Sequence, residues 1–159
     1  MTQKGSAVDW SRYPRGWFVV AYSDEVEPGQ IKGVEYFGKK LVVYRGENGE
    51  ISVLDAYCPH LGADIGVGGK VVGNCVRCPF HHWQFGADGK CTDVPYAKKI
   101  PSRAKLGSYP VHELNGLVFM YFDQDGHPPT YSIPVVEEYG TDSWLPWVTN
   151  EITMKTHPR

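Results

Sequence analysis

Neither sign of charge dominates this chain: of 159 residues, 16 are Lys or Arg and 18 are Asp or Glu, a formal net charge of −2. So balanced a composition supplies no electrostatic reason to expect nucleic acid as a partner. Long hydrophobic runs are also missing. The longest, from Trp17 to Tyr22 and from Leu117 to Phe122, fall far short of the roughly 18 apolar residues of a membrane-spanning helix, so no membrane anchor is expected. The N-terminal stretch MTQKGSAVDWSRYPRGW lacks a charged segment followed by an apolar one, the mark of a secretory signal, and a cytoplasmic protein is expected. In that reducing compartment the four cysteines read as ligands or core residues rather than disulfides. A chain of this length buries about 70% of its unfolded surface and needs no disulfide staples.

Helical periodicity is absent as well. Short β-branched and aromatic runs alternate with Gly, Asn and Asp turns, the pattern of an all-β domain. Lys39 to Tyr57 predicts a hairpin turning at Asn48-Gly49, and Ser108 to Phe122 another turning at Asn115-Gly116. Lys70 to Arg77 and Trp83 to Val94 predict two tighter hairpins, turning at Gly73-Asn74 and Asp88-Gly89. Twelve prolines and eighteen glycines suit a fold with many corners. Residues 1–126 read as one domain. From His127 the texture changes to a proline-rich linker, which leads over 147–156 (WVTNEITMKT) into one more strand.

What is there in concentration is metal-ligand chemistry. Between Cys58 and Trp83 lie three of the four cysteines and three of the six histidines. Cys58-x-His60 is followed, after 17 residues, by Cys78-x2-His81. Zinc fingers pair two cysteines from one turn with two histidines from another, whereas here each segment offers one of each. The split suits a binuclear centre in which each loop sends its cysteine to one iron and its histidine to the other, the two-cysteine, two-histidine ligation of a Rieske-type [2Fe–2S] cluster. Pro59 and Pro79 stiffen the loop tips, and Leu61, Phe80 and Trp83 are placed to shield the metals. With neutral imidazoles, two ferric ions, two sulfides and two thiolates sum to zero charge, which eases reduction.

Other readings compete for the same residues. Cys75-x2-Cys78 imitates a thioredoxin-like pair, but that motif needs a βαβ setting and a helix N-terminus. In an extended strand, residues three apart point to opposite faces, which makes Cys75 a small core residue; Cys91 reads the same way. A zinc site borrowing Cys75 or Cys91 is the metal alternative. A Cys/His nucleophilic couple leaves the second Cys and His without a role. His82 diverges from its neighbour His81 and is no ligand. His112, His127 and His157 lack ligand spacing, and Trp17, Phe18, Tyr44, Phe119 and Phe122 read as sheet core.

CPHLGADIG together with CPFHHWQF resembles the Rieske motif. The flanks WFVVAYSDEVEPGQ, LVVYR, GKCTDVPYAKKIP and NGLVFMYF resemble the N-terminal domain of Rieske-type oxygenases. Within that family the chain is most similar to enzymes of steroids and sterols, such as 3-ketosteroid 9α-hydroxylases and cholesterol 7-desaturases. The resemblance implies an antiparallel β-sandwich with a small cluster-binding subdomain of two loops, over about residues 57–94. It implies one [2Fe–2S] cluster held by Cys58, His60, Cys78 and His81. It also implies an electron-donating reductase or ferredoxin, and a mononuclear-iron catalytic domain in cis or in trans.

That catalytic iron is held in the family by a D-x2-H-x3/4-H pattern, which these 159 residues do not contain. One-electron transfer is therefore the expected activity, with no catalytic residue named, whether the chain is a fragment or a naturally short protein. The respiratory Rieske branch carries a disulfide and hydroxyl donors where this chain has Ala63, Phe80, Trp83 and Phe85. The resemblance thus implies a potential toward the lower end of the roughly −150 to +300 mV Rieske range. A free-standing Rieske ferredoxin and a zinc-stabilised binding module are the alternative functions.

Overall fold

The structure, a computed structural model, describes residues 12–145, 147–150 and 152. Among the described residues eleven strands form: β1 (Gly16–Tyr22), β2 (Ile31–Tyr36), β3 (Lys39–Arg45), β4 (Ile51–Asp55), β5 (Lys70–Val72), β6 (Cys75–Arg77), β7 (Gln84–Phe85), β8 (Cys91–Asp93), β9 (Ser108–Tyr109), β10 (Val111–Leu114) and β11 (Leu117–Phe122). Among the described residues the only helical element is a 3-10 turn at Ser23–Glu25. The all-β expectation holds.

Strand β3 organises the rest. Its residues from Leu41 to Arg45 are all buried, and because successive side chains in a strand point to opposite faces, both faces must be covered. Leu41 and Val43, with Val53 of β4, face a core completed by Val20, Val118, Met120 and Phe122. Val42 and Tyr44, with Leu54, face a second core containing Ile65, Val76, Phe85, Cys58, Cys78 and Trp83. Three layers result: sheet β2-β3-β4-β9 in the middle, sheet β1-β11-β10 on one side, and the small sheet β5-β6-β7-β8 on the other. All strand pairings are antiparallel. The metal-rich segment belongs to the layer built on the small sheet.

The four expected hairpins form, with one change. Ser108 to Leu114 is not a single strand but breaks at Pro110, whose missing N–H cannot serve a ladder. Ser108 and Tyr109 pair with β4, and Val111 to Leu114 pair with β11, so the chain crosses from the middle sheet to the outer one at that proline. The Asn115-Gly116 turn is left-handed at both residues, φ 51° and 75°, as a two-residue hairpin requires.

Two further readings are corrected. Tyr44 and Phe122 are core, and Phe18 packs against the core. Trp17 and Phe119 are instead only half-buried, because they alternate with the core residues of β1 and β11. The outer face they occupy is covered in part by the supposed linker. Trp17 Nε1 donates to the Tyr131 carbonyl at 3.0 Å, Asn115 Nδ2 to the Val136 carbonyl at 2.8 Å, and Trp147 Nε1 to the Asn115 carbonyl at 3.0 Å. This segment is irregular but docked on the domain. Residues 147–150 and 152 are not strand, and the remainder of the strand expected over 147–156 lies outside the described residues, as does His157.

Arg45 is the polar hub where the layers meet. It is 9% exposed, and its guanidinium donates to both Glu113 oxygens at 2.8 and 2.7 Å. It also donates to the carbonyls of Val26 at 2.6 Å, Gly49 at 2.9 Å and Ser23 at 3.1 Å. The two-pronged pairing ties β3 to β10 across the interlayer gap. Glu113→Ala strands a nearly buried cation. The expected loss is about 2–3 kcal/mol, below the full buried-pair value because Glu113 is partly solvated, measured by chemical denaturation. The hydrogen bond from Arg45 holds the Glu113 carboxyl below its ordinary 4.5. The pair's stabilisation is therefore complete above that pH and fades as pH falls through the lower folded-state value. Glu113→Gln is expected to flatten this acid limb of the stability profile.

Candidate metal centre

Two loops carry the predicted ligands, and they share one construction. Residues 58–63 follow β4, and residues 78–83 join β6 to β7. In the first, Cys58 N–H donates to the Ala63 carbonyl at 2.9 Å; in the second, Cys78 N–H donates to the Trp83 carbonyl at 2.9 Å. Each cysteine thus bonds five residues ahead, and each is followed by a proline that fixes the backbone. Four residues after each cysteine the chain turns left-handed, at Gly62 (φ 74°) and His82 (φ 61°). His82 is where the turn must reverse. Histidine is among the residues that tolerate this conformation.

The hairpin β5–β6 brings the loops together. Gly69 N–H donates to the Ile65 carbonyl at 3.1 Å, and a Cβ on Gly69 would collide with that same carbonyl. The first loop is anchored to β3 by Lys40, which donates to Asp64 at 3.2 Å.

The four side chains sort by depth. Cys58 and Cys78 are each 2% exposed, whereas His60 and His81 are half-buried at the surface, their ring centroids 4.7 Å apart. Burial pushes the Cys58 thiol up to about 11, opposed by the His60 N–H that faces its sulfur and reinforced by the Cys78 thiol beside it. A bound cation is what would displace that proton.

The donor set has a definite arrangement. A single tetrahedral zinc draws sulfur and nitrogen donors to within about 3.3–3.8 Å of one another, given its bond lengths. Among the described residues no three Cys or His side chains bring donor atoms within 4.8 Å of each other. The one triad that does, Asp123, Asp125 and His127, is a turn after β11 whose acids engage His127, the Asp125 amide and Arg12. Thiols paired in the interior and imidazoles paired outside them are an arrangement that a two-metal group fits.

Trp83 does more than shield. Its ring lies flat on His60, centroids 4.6 Å apart and planes within 8°, and its indole N–H donates to the Tyr96 hydroxyl at 2.6 Å. Tyr96 stands 6.4 Å from both imidazoles. Sequence reasoning missed Tyr96, which sits in a loop with no periodicity to single it out. Phe80 covers His81 at 4.0 Å. Cys91 is buried in the same core, as expected. Cys75 is a correction: it is only half-buried, and Thr92 donates to its sulfur at 3.6 Å, because its side of β6 faces away from the core.

Comparison with known proteins agrees with this geometry. Residues 16–110 match the model of the Rieske [2Fe-2S] domain, and residues 120–159 match that of the 3-ketosteroid 9alpha-hydroxylase C-terminal domain. A cholesterol 7-desaturase of Xenopus laevis is 50% identical over 134 residues, 84% of this chain and 30% of that protein. The oxygenase component of a 3-ketosteroid-9-alpha-monooxygenase from Rhodococcus rhodochrous is 43% identical over 147 residues, 91% of this chain and 38% of that protein. The chain thus spans about a third of the length of these relatives. The solved structure of NdmA from Pseudomonas putida CBB5 superposes with a TM-score of 0.62 at 28% identity, covering 69% of this chain and 34% of that one.

The stack beneath His60 is testable without any metal. Trp83→Leu removes most of a buried ring and is expected to cost about 2–4 kcal/mol. Tyr96→Phe leaves the indole N–H unpaired and is expected to cost about 1 kcal/mol. Urea denaturation of the metal-free chain measures both, and equal small losses would show that the stack carries no packing energy.

Proposed function

Because this chain belongs to the Rieske [2Fe–2S] domain family and so carries a [2Fe–2S] cluster, we propose that Cys58, His60, Cys78 and His81 are its four protein ligands. We further infer that the chain relays single electrons to a mononuclear iron site in a catalytic domain continuous with it. The observation that carries this reading is the sorting of the four side chains, two thiols inside and two imidazoles at the surface.

The cluster, when bound, supplies reversible one-electron storage at a potential raised by its two histidines. The chain's own residues do the rest. Cys58 and Cys78 give up their protons to bind as thiolates, and the His60 N–H directed at the Cys58 sulfur favours the charged form. Trp83 fixes the plane of the His60 ring. Phe80 lies against the His81 ring, and both imidazoles stay half-buried at the surface, within reach of a partner. Among the described residues no side-chain hydroxyl is hydrogen-bonded to Cys58 or Cys78, consistent with a potential low in the Rieske range.

The match of residues 120–159 to an oxygenase C-terminal domain supports delivery in cis. The relative from Rhodococcus rhodochrous is named as an oxygenase component, which supports a separate reductase as donor. The names of both curated relatives support a sterol or steroid as the substrate of the acceptor domain.

Anaerobically purified protein is expected to be red-brown, with two irons and two acid-labile sulfides per chain by the proposed stoichiometry, and Cys78→Ala is expected to lose both. Stoichiometric zinc without sulfide would overturn the ligand assignment. Delivery in cis is checked separately: the reading frame downstream of Arg159 is expected to encode D-x2-H-x3/4-H, and a stop codon directly after Arg159 would refute it.

A further inference from the structure

On the other side of the middle sheet from the metal-rich loops, the outer layer holds an open cavity of about 750 Å³. Tyr22, Tyr139, Trp144 and Trp147 line it together with Asp24 and Glu25, and none of the described residues in its wall is Lys, Arg or His. Electron transfer at the histidines leaves this lining unused.

The β10–β11 turn is what assembles it. Val136 N–H donates to Asn115 Oδ1 at 3.0 Å, Asn115 Nδ2 donates back to the Val136 carbonyl at 2.8 Å, and Trp147 Nε1 donates to the Asn115 carbonyl at 3.0 Å. Tyr139 then lies over the next residue, Gly116, where any Cβ would collide with its hydroxyl. Ser23 N–H donates to the Gly116 carbonyl at 2.9 Å, which fixes the acidic 3-10 turn to the same two residues. The rings are therefore held in place by the backbone of a tight turn. Trp144 meets Tyr139 at 64° and Trp147 at 77°, with centroids 6.0 and 5.4 Å apart, whereas Tyr139 and Trp147 lie within 29° of parallel. Ring planes so disposed make a corner rather than a flat stack.

Two groups in this corner are unspent. Lys32 neutralises Glu25, but Asp24 has no cationic partner among the described residues. The indole N–H of Trp144 is buried without a hydrogen-bond partner among the described residues, a cost that packing alone does not repay. Ring faces carry negative potential and attract cations, and a neighbouring carboxylate adds to that attraction. A primary ammonium entering the corner must find acceptors for three N–H groups, which ring faces do not supply. An ammonium without N–H groups sheds its water more cheaply.

We propose that this corner is a binding site for a quaternary ammonium group, with Tyr139, Trp144 and Trp147 as its walls and Asp24 as its counter-charge. The site is independent of the cluster and gives the domain a second ligand.

Calorimetric titration of the purified chain with choline tests this. Choline is expected to bind one to one. Its neutral tert-butyl isostere, and n-butylammonium as the equivalent of a lysine side chain, are each expected to bind about tenfold more weakly. Asp24→Asn and Trp144→Leu are each expected to weaken choline binding about tenfold, and Trp144→Phe, which keeps a ring, to restore most of it. Asp142→Asn, an exposed carboxylate outside the lining, leaves it unchanged. Asp24 is exposed, so its variant keeps the fold and decides the matter even where Trp144→Leu does not fold.

Flotation with phosphatidylcholine vesicles, against phosphatidylglycerol vesicles as control, separates the two sources of such a group. Co-flotation removed by Asp24→Asn assigns the site to a lipid headgroup, and choline binding without flotation assigns it to a soluble compound. Equal affinity for the neutral isostere, or no saturable binding of choline, would overturn the proposal. So would tighter binding of n-butylammonium than of choline, which would give the corner to a lysine side chain.

Discussion

Two sulfurs lie inside and two imidazoles outside, on loops separated by a β-hairpin. The rest of the molecule can be understood as the scaffolding this arrangement demands. Thiols held in apolar surroundings resist ionisation, and burial raises Cys58, so a free thiolate pair is disfavoured here. Neither loop could hold its cysteine at that depth alone. The hairpin β5–β6 supplies the second wall, the close pass at Gly69 sets the spacing, and the middle sheet supplies the floor through Val42, Tyr44 and Leu54.

That floor is shared. Because β3 is covered on both faces, every alternate residue supports the metal-rich layer while its neighbours support the sandwich. The two cores are therefore not independent: a change that shifts β3 moves both. Arg45 strengthens the coupling, since its guanidinium joins the middle sheet to β10 of the outer one and to the turns at both of its flanks. Polar pairing rather than further apolar contact is used where the layers part, and a planar five-donor group suits a junction with several carbonyls.

Legibility in the sequence followed the range of the interaction. The hairpins at Asn48-Gly49, Gly73-Asn74, Asp88-Gly89 and Asn115-Gly116 were readable because turn chemistry is local. The cysteine and histidine spacing was readable because it is local to two short loops, which the structure brings side by side. Features that depend on remote residues were not. The switch at Pro110 needs knowledge of which sheet lies on either side. The half-exposure of Cys75 depends on what covers each face of a three-residue strand. The Trp83–Tyr96 bond spans an irregular loop, and the docking of residues around Tyr131, Val136 and Trp147 onto the outer sheet depends on backbone acceptors that no side-chain pattern reveals.

The identical build of the two loops separates what can vary from what cannot. Each backbone places its sulfur by the same five-residue closure and the same left-handed reversal, yet the histidine sits two residues after Cys58 and three after Cys78. The sulfur positions are thus templated by the main chain, while the outer pair is reached by side chains alone. Such a design makes the surface imidazoles the evolvable half of the proposed centre: a residue of different length or charge there would retune its contact with the world while the interior half kept its geometry.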